Sequence, residues 1–290
     1  MTDLSNRMVD SFALEASPVT PAAIPLLQEL SVSVGWPHRA EDWQTALTLG
    51  DGIFLRDEIG RAFGSAMWFP VSDDLAMLGM VITTPRLQDH GAGSWMMQNI
   101  LSRTGSRDLA LNATRAAFRL YLALGFVPGQ TVFQHQGVAR ARLPGAAMPT
   151  VRPLTPEDHP GLRDLDRRAF TAERRAAMDL LLGQSVGIVQ EQSGRITGYA
   201  LCRRFGRGHV VGPVVAGDAA SAIALSAPLI ARHAGSFVRM DTRETQGPFV
   251  DFLEDCGLRR HDTVTSMYLG KPRTPAPEAH IFGLANQAIG

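Results

Sequence analysis

Residues 85–97 read PRLQDHGAGSWMM and follow LAMLGMVITT, the apolar run of residues 75–84. The run shows no hydrophobic alternation, which is typical of a strand buried on both faces. Pro85 lacks an amide N–H and ends that strand, and SWMMQNIL from Ser94 predicts a helix. A glycine-containing loop between a strand and a helix start aims backbone N–H groups at one point, so the stretch predicts an anion site of the kind that holds phosphate. The alternative is a plain turn that binds nothing.

The chain contains an internal repeat. Four pairs of segments recur in the same order at an offset of about 134 residues. They are Thr20-Pro21 with Thr155-Pro156, GRAFGSAM (60–67) with GRITGYAL (194–201), LGMVIT (78–83) with VGPVVA (211–216), and YLALGF (121–126) with FLEDCGL (252–258). Each half predicts helices, a hairpin, a buried strand, a helix, a strand, a helix and a closing strand. In each Thr-Pro pair we expect the threonine to be a helix N-cap.

The repeat and the composition of the connecting segments predict two domains. The first covers residues 1–138, and ARARLPGAAMPT at 139–150 is a linker because it is rich in small residues and contains two prolines. The second covers residues 151–272. Residues 273–290 form a Pro-rich spacer and an apolar tail, which we expect to dock on its own chain near the domain interface.

Composition excludes several classes of partner. The 290 residues include 28 basic and 28 acidic side chains, so a net charge of zero does not favour nucleic acid or an anionic membrane. No apolar run approaches the roughly 18 residues that span a bilayer. Cys202 and Cys256 lie far apart without metal-ligand spacing. We therefore expect a cytoplasmic monomer or homodimer that binds no metal.

Two segments of the first half together resemble one family. QDHGAG (88–93) matches the (Gln/Arg)-x-x-Gly-x-(Gly/Ala) pyrophosphate motif of the GNAT N-acetyltransferases, and DLALNATRAAFRLYLALGF (108–126) is similar to the family's strand five and helix four. The resemblance covers the first half nearly end to end, whereas the second half is similar in layout only. It implies an α/β fold of two tandem GNAT-like domains, each with a central mixed β-sheet flanked by helices, the second being degenerate.

The resemblance also implies roles for individual residues. Acetyl-CoA would be the acyl donor, and a primary amine of a small molecule or peptide would be the acceptor. Strands four and five would splay apart, with Gly79 marking a bulge or a close approach. Tyr121 would be the general acid that protonates the departing thiolate. The residues expected to contact acetyl-CoA are Gln88, Asp89, His90, Gly91, Ala92, Gly93 and Ser94 at the pyrophosphate, Met80, Val81 and Ile82 along the pantetheine arm, and Asn112 near the splay.

The acceptor side is less well defined. Trp36 and His38 lie where the family's acceptor-site helices fall, so we expect them to line the acceptor pocket. Strand four carries no carboxylate at residues 77–80, and the substitutes for a general base are Asp73, Asp74, Glu41, Asp42 and His38. An amine of lowered pKa would need no dedicated base. The alternative function is a non-catalytic acyl-CoA-binding or scaffold protein.

The second half lacks the paired glycines and the tyrosine on which the expected chemistry of the first half depends. GDAASAIAL (217–225) has no paired glycines, and Leu253 stands at the position that matches Tyr121. GQSVG (183–187) fits the Gly-x-Ser-x-Gly nucleophile elbow, but that elbow requires a strand before it and a helix after it. The surrounding sequence predicts the reverse order, which argues against a serine hydrolase.

Overall fold

The computed structural model describes residues 6–9, 12–88, 90–142, 148–271 and 273–290. Within these ranges, all the strands belong to one continuous mixed sheet, and helices cover it. In the N-terminal half the strands are β1 (Asn6–Val9), β2 (Phe12–Pro18), β3 (Asp51–Asp57), β4 (Ala62–Pro70), β5 (Leu75–Thr83), β6 (Asp108–Ala113) and β7 (Val127–Val138). The helices of that half are α1 (Ile24–Ser33), α2 (Ala40–Leu49), α3 (Ala92–Leu101) and α4 (Phe118–Ala123).

The C-terminal half repeats the order of elements from β2 to β7 and adds one strand at its end. Its strands are β8 (Arg152–Pro153), β9 (Val186–Gln192), β10 (Arg195–Phe205), β11 (Gly208–Ala216), β12 (Phe237–Thr242), β13 (Arg259–Leu269) and β14 (His280–Gly283). Its helices are α5 (His159–Phe170), α6 (Arg175–Gln184), α7 (Ala219–Arg232) and α8 (Pro248–Asp255). The strand order is β1-β2-β3-β4-β5-β6-β13-β7-β12-β11-β10-β9-β8, and β14 pairs with β11. The predicted α/β tandem architecture is confirmed.

The closing strands of the two halves are exchanged. β13 of the C-terminal half pairs with β6, and β7 of the N-terminal half pairs with β12. The two closing strands also pair with each other in antiparallel orientation over most of their length. Each half therefore completes the sheet of the other, and the units of the fold in space differ from the units along the sequence.

The turns that mark the repeat adopt the expected conformations. Gly60 and Gly194 both have positive φ, 85° and 74°, at the hairpins β3–β4 and β9–β10, as tight hairpin turns require. Thr20 and Thr155 each precede a short 3-10 turn that leads into a helix. Only Thr155 sits in a capping box, which it forms with Asp158.

Two further expectations about the C-terminal half are met. GQSVG lies between α6 and β9, so the segment runs from helix to strand and is not a nucleophile elbow. The apolar tail docks on its own chain, because β14 pairs with β11 at Val214–Ala216. The tail then continues to the N-terminal half, where Gln287 accepts a hydrogen bond from Asn112.

Candidate functional site

Strands β5 and β6 separate partway along their length. Their parallel pairing covers only Leu75–Leu78 with Asp108–Leu111, although β5 runs on to Thr83. A β-bulge follows at Met80, whose φ of 53° is unusual for a residue other than glycine. The Ser65 hydroxyl group donates a hydrogen bond of 2.7 Å to the Met80 carbonyl oxygen and fixes the bulge. The result is the splay that the resemblance implied.

The loop after β5 leads into the start of α3. Gly91 is the N-cap residue, with φ of 82°, and as a glycine it has no side chain of its own to cap the helix. Its position has no heavy atom within 4 Å of where a Cβ would be. Ser94, predicted near the helix start, lies in the first turn, which begins at Ala92. Because the first amide groups of a helix have no partner within it, this end of α3 has the geometry of an anion site.

The remaining loop residues make local contacts. Gln88 donates a hydrogen bond from Nε2 to the Thr83 carbonyl oxygen at 3.2 Å. The Nδ1 atom of His90 lies 2.8 Å from the Gln88 carbonyl oxygen. Asp89 lies outside the described residues.

A cleft of about 440 Å³ is lined by residues of both halves. Six of the predicted site residues lie in it, namely Met80, Val81, Asn112, Tyr121, Trp36 and His38. Ile82 does not line the cleft, because its side chain packs in the apolar core. The described residues of the loop 88–94 also lie outside the cleft lining. The predicted acyl-transfer and acceptor residues thus meet in one cavity, and the described residues of the predicted pyrophosphate loop do not line it.

Tyr121 lies on α4 and is only 4% exposed. Its ring packs edge to face on Phe126, with centroids 5.8 Å apart, and it lines the cleft. Burial raises the pKa of the Tyr121 phenol well above its ordinary value. The phenol therefore stays protonated throughout the neutral pH range, as a proton donor must.

Asn112 has partners within the chain. Its Nδ2 atom donates a hydrogen bond of 2.7 Å to the Gln287 carbonyl oxygen, and its Oδ1 atom accepts one of 2.8 Å from the Ser266 hydroxyl group. Asn112 was expected to contact the cofactor, and these bonds leave it one N–H for that purpose. The side chain holds the tail against β6 and β13, and its contact with the cofactor stays a prediction.

The tail forms one wall of the cleft. Residues 286–289 line it, and Ala288 packs so closely on Gly79 that a Cβ at position 79 would lie 2.7 Å from the Ala288 Cβ. This contact accounts for Gly79, for which the sequence left a bulge or a close approach open. The guanidinium group of Arg174 anchors the segment through the carbonyl oxygens of Ile289 and Gly290, at 3.1 and 2.9 Å.

His38 lies in the acceptor region among aromatic rings. Its ring centroid is 5.9 Å from that of Trp36, 6.3 Å from that of Trp43 and 5.6 Å from that of Phe205. Burial is the main cause that lowers the pKa of His38 to about 4. The imidazole is therefore neutral at physiological pH and is a weak base.

Of the other candidate bases, Glu41 and Asp42 line the cleft, and Asp73 and Asp74 do not. Burial alone would raise the pKa of Asp42, but hydrogen bonds from Arg39 and from the Gly206 N–H hold it below its ordinary value. Asp42 is consequently a poor proton acceptor. The exposed carboxylate of Glu41 is the remaining candidate from that set inside the cleft.

The C-terminal half contributes residues that the sequence did not single out. Arg203 and Phe205, on β10, and Arg239, on β12, line the cleft. The Phe205 ring lies 5.2 Å from the Arg203 guanidinium carbon and 5.7 Å from that of Arg239. Arg239 forms an ion pair of 2.8 Å with Asp241, which is fully buried. Both arginines stand in apolar-rich strands, where no local pattern distinguishes a cleft residue from an exposed one.

In the C-terminal half, the gap beside β11 that would correspond to the cleft is filled by β14. β11 and β12 pair only at His209–Val210 with Val238–Arg239, and β14 pairs with β11 farther along. The N-terminus of α7 carries its own carboxylate, because Asp218 caps it through a 2.7 Å hydrogen bond from the Ser221 N–H. Leu253 is fully buried where the N-terminal half has Tyr121.

The described residues contain neither a metal-binding cluster nor a membrane-spanning helix. No group of three or more His, Cys, Asp or Glu side chains is placed to hold a metal ion. None of the described helices combines the length and the apolar character needed to cross a membrane.

One family of known proteins matches part of the sequence. The model for an acetyltransferase (GNAT) domain matches residues 162–283, in the half that lacks the tyrosine and the paired glycines. No curated protein matches the sequence.

Solved structures agree over nearly the full chain. A provisionally assigned acetyltransferase from Pyrococcus horikoshii has a TM-score of 0.75 at 17% identity, covering 96% of both chains. A GCN5-related N-acetyltransferase from Sphaerobacter thermophilus has a TM-score of 0.65 at 16% identity, covering 91% of this chain and 98% of that one. A tandem GNAT protein from the clavulanic acid biosynthesis pathway has a TM-score of 0.63 at 16% identity, covering 90% of this chain and 100% of that one.

Proposed function

We propose that this chain, which has the tandem GNAT fold, transfers an acetyl group from acetyl-CoA to a primary amine of a small molecule or peptide. The observation that carries the proposal is that the splay of β5 and β6, the bulge at Met80 and the buried phenol of Tyr121 meet in one cleft. The free edge of β5 beyond Leu78 suits an extended pantetheine arm, since such an edge pairs with extended ligands through main-chain hydrogen bonds.

The residues at the start of α3 fit the pyrophosphate of acetyl-CoA. Among the described residues, Gly91 leaves open space beside the helix N-terminus and has no side chain of its own to cap the helix. The amide groups of the first turn, at Ala92, Gly93 and Ser94, would hold the phosphate oxygens. The loop lies at the end of β5, so a ligand along that strand edge would place its anionic part there.

Acetyl-CoA supplies an activated acyl group. The chain orients the amine and the thioester and supplies one proton. The cleft would hold the neutral amine beside the thioester, which provides much of the acceleration. As the C–N bond forms and the C–S bond breaks, the Tyr121 hydroxyl group would protonate the departing sulfur. A backbone N–H at the Met80 bulge would stabilise the charge that builds on the carbonyl oxygen. The attacking nitrogen gives up a proton to solvent or to Glu41, and the phenolate regains one from solvent.

The direct test is amine-dependent release of the CoA thiol. Purified protein, acetyl-CoA and a panel of primary amines should give thiol and the N-acetyl product in equal amounts, with product identified by mass spectrometry. A second candidate function, non-catalytic acyl-CoA binding, is favoured by the weak basicity of His38 and Asp42. Tight acetyl-CoA binding with no acylation of any amine would select it.

The substitution Gly91→Glu should abolish acetyl-CoA binding. It places a carboxylate beside the pyrophosphate, and repulsion between like charges a few ångströms apart should raise the dissociation constant about 100-fold or more. Calorimetric titration measures this effect. Gly194→Glu is the matched control, because Gly194 also has positive φ and open space around its Cβ position. The Gly194→Glu variant should have the same backbone strain and should retain its affinity for acetyl-CoA. Unchanged affinity in Gly91→Glu would refute the loop assignment.

One molecule of acetyl-CoA should bind per chain. The gap beside β11 is taken by β14, and Asp218 already occupies the helix start that a second pyrophosphate would need. Calorimetry on the intact protein should give a stoichiometry of one, and Gly91→Glu should bring it to zero. Two sites per chain would show that the C-terminal half also binds the donor.

A further inference from the structure

We infer that the acceptor amine also carries a carboxylate group, and that Arg203 of the C-terminal half binds it. The inference deepens the acyl transfer proposed above and rests on it. Arg203 is 4% exposed and lines the same cleft as Tyr121. Its Nη2 atom donates a hydrogen bond of 3.2 Å to the Ala285 carbonyl oxygen, whereas its buried Nη1 atom has no partner among the described residues. A buried guanidinium group that belongs to the cleft lining therefore keeps an unused N–H donor.

The charged side chains near Arg203 already form ion pairs with one another. Arg39 pairs with Asp42 at 2.8 Å, and Arg239 pairs with Asp241 at 2.8 Å. Asp42 also accepts a hydrogen bond from the Gly206 N–H, so its oxygens are engaged without Arg203. Arg203 is left as one positive charge without an ion-pair partner among the described residues. Burying an unpaired charge is costly, and an anionic ligand would compensate that cost.

The other charged residues of the cleft do not neutralise Arg203. Glu41, Arg204 and Asp262 line the cleft, but all three are exposed, so solvent and salt screen them. Burial lowers the pKa of Arg203 only to about 10, so the guanidinium group keeps its charge at neutral pH.

The charge and the shape of the guanidinium group favour a carboxylate. One uncompensated positive charge matches a monoanion, and a guanidinium group is the side chain that can bind both oxygens of a planar carboxylate through parallel N–H donors. Trp36 and Phe205 flank the region with apolar rings. The acceptor class is therefore an amino acid or a related compound that bears an amine at one end and a carboxylate at the other.

The test compares matched acids and amides. Wild-type protein is titrated calorimetrically, in the presence of CoA, with N-acetyl amino acids derived from a panel of α- and ω-amino acids, and with the corresponding N-acetyl amino amides. At least one acid should bind about 100-fold more tightly than its amide, the size of effect expected for a buried charge pair. Arg203→Gln should reduce that preference to near unity and leave the acetyl-CoA dissociation constant unchanged. Arg203→Lys, which keeps the charge without the fork, should retain part of the preference.

The controls separate folding from recognition. Arg207→Gln removes an exposed arginine in the turn after β10, outside the cleft lining, and should keep the full acid preference. Thermal unfolding and the acetyl-CoA titration report whether each variant is folded.

The outcomes distinguish this inference from the proposed function. If no acid in the panel binds more tightly than its amide, or if Arg203→Gln keeps the preference, the inference is overturned. Equal acetylation of amino acids and amino amides would overturn it while leaving acyl transfer intact. Arg203-dependent binding of acids without acetylation of any amine would support the carboxylate site and contradict acyl transfer.

Discussion

Replacing Tyr121 with phenylalanine should lower kcat by about 100-fold or more while leaving the acetyl-CoA dissociation constant unchanged. General acid catalysis contributes roughly 10²–10⁴-fold to the rates of enzymes that use it. The Tyr121 ring packs on Phe126 in a buried site, and removal of a single oxygen preserves that packing. Steady-state kinetics with the best acceptor amine give kcat, and calorimetry gives the affinity.

Tyr268→Phe is the matched control for this prediction. Tyr268 lies on β13, is 39% exposed and is outside the cleft lining, so the same chemical change there should leave kcat within about twofold. Full turnover by Tyr121→Phe would remove the phenol from the mechanism and leave the departing thiolate to take its proton from water.

Replacing Arg174 with methionine should destabilise the protein by about 3–5 kcal/mol, the cost of leaving a buried charge without its partner. Arg174 donates to Asp166 from Nε at 2.9 Å and from Nη2 at 2.8 Å, and Tyr199 donates to the same carboxylate. All three side chains are nearly inaccessible to solvent. We expect the thermal midpoint to fall by about 5–15 °C. Because Arg174 also holds residues 289 and 290, the wall of the cleft should loosen and kcat/KM should fall as well.

Two further variants test whether the buried ion pair is the cause of this loss of stability. Arg174→Met combined with Asp166→Leu leaves no unpaired charge, so it should be less destabilised than Arg174→Met alone. Arg175→Met is the control, because Arg175 is exposed and pairs with the exposed Glu173 at 3.4 Å. It should change the thermal midpoint by less than about 2 °C. A similar loss of stability in both single arginine variants would show that the buried network is not responsible.

The features that could be predicted from the sequence are those encoded by short stretches of chain. The positive φ of Gly60 and Gly194 follows from the demands of a hairpin turn. The strand, loop and helix at residues 75–101 follow from Pro85, the paired glycines and the apolar run. Segments whose conformation is encoded by adjacent residues therefore adopt the predicted secondary structure.

The features that could not be predicted depend on contacts between distant segments. β7 and β13 pair with each other and with strands of both halves, so nothing in their own sequences decides which sheet each one completes. Asn112 bonds to Ser266 and Gln287 because the tail reaches the N-terminal half, and no local pattern around Asn112 indicates that contact. Arg203 becomes notable only because its surroundings leave the Nη1 atom without a partner.

The exchanged closing strands also have an evolutionary consequence. A repeated unit that bound no donor of its own would ordinarily be free to be deleted. Here deletion of the C-terminal half would remove β13 from between β6 and β7 and would leave β7 without β12. The N-terminal half would then expose the backbone of unpaired strands, which promotes aggregation. The exchange therefore makes the N-terminal half depend on the C-terminal half for a complete sheet, so folding alone is a reason to keep both copies.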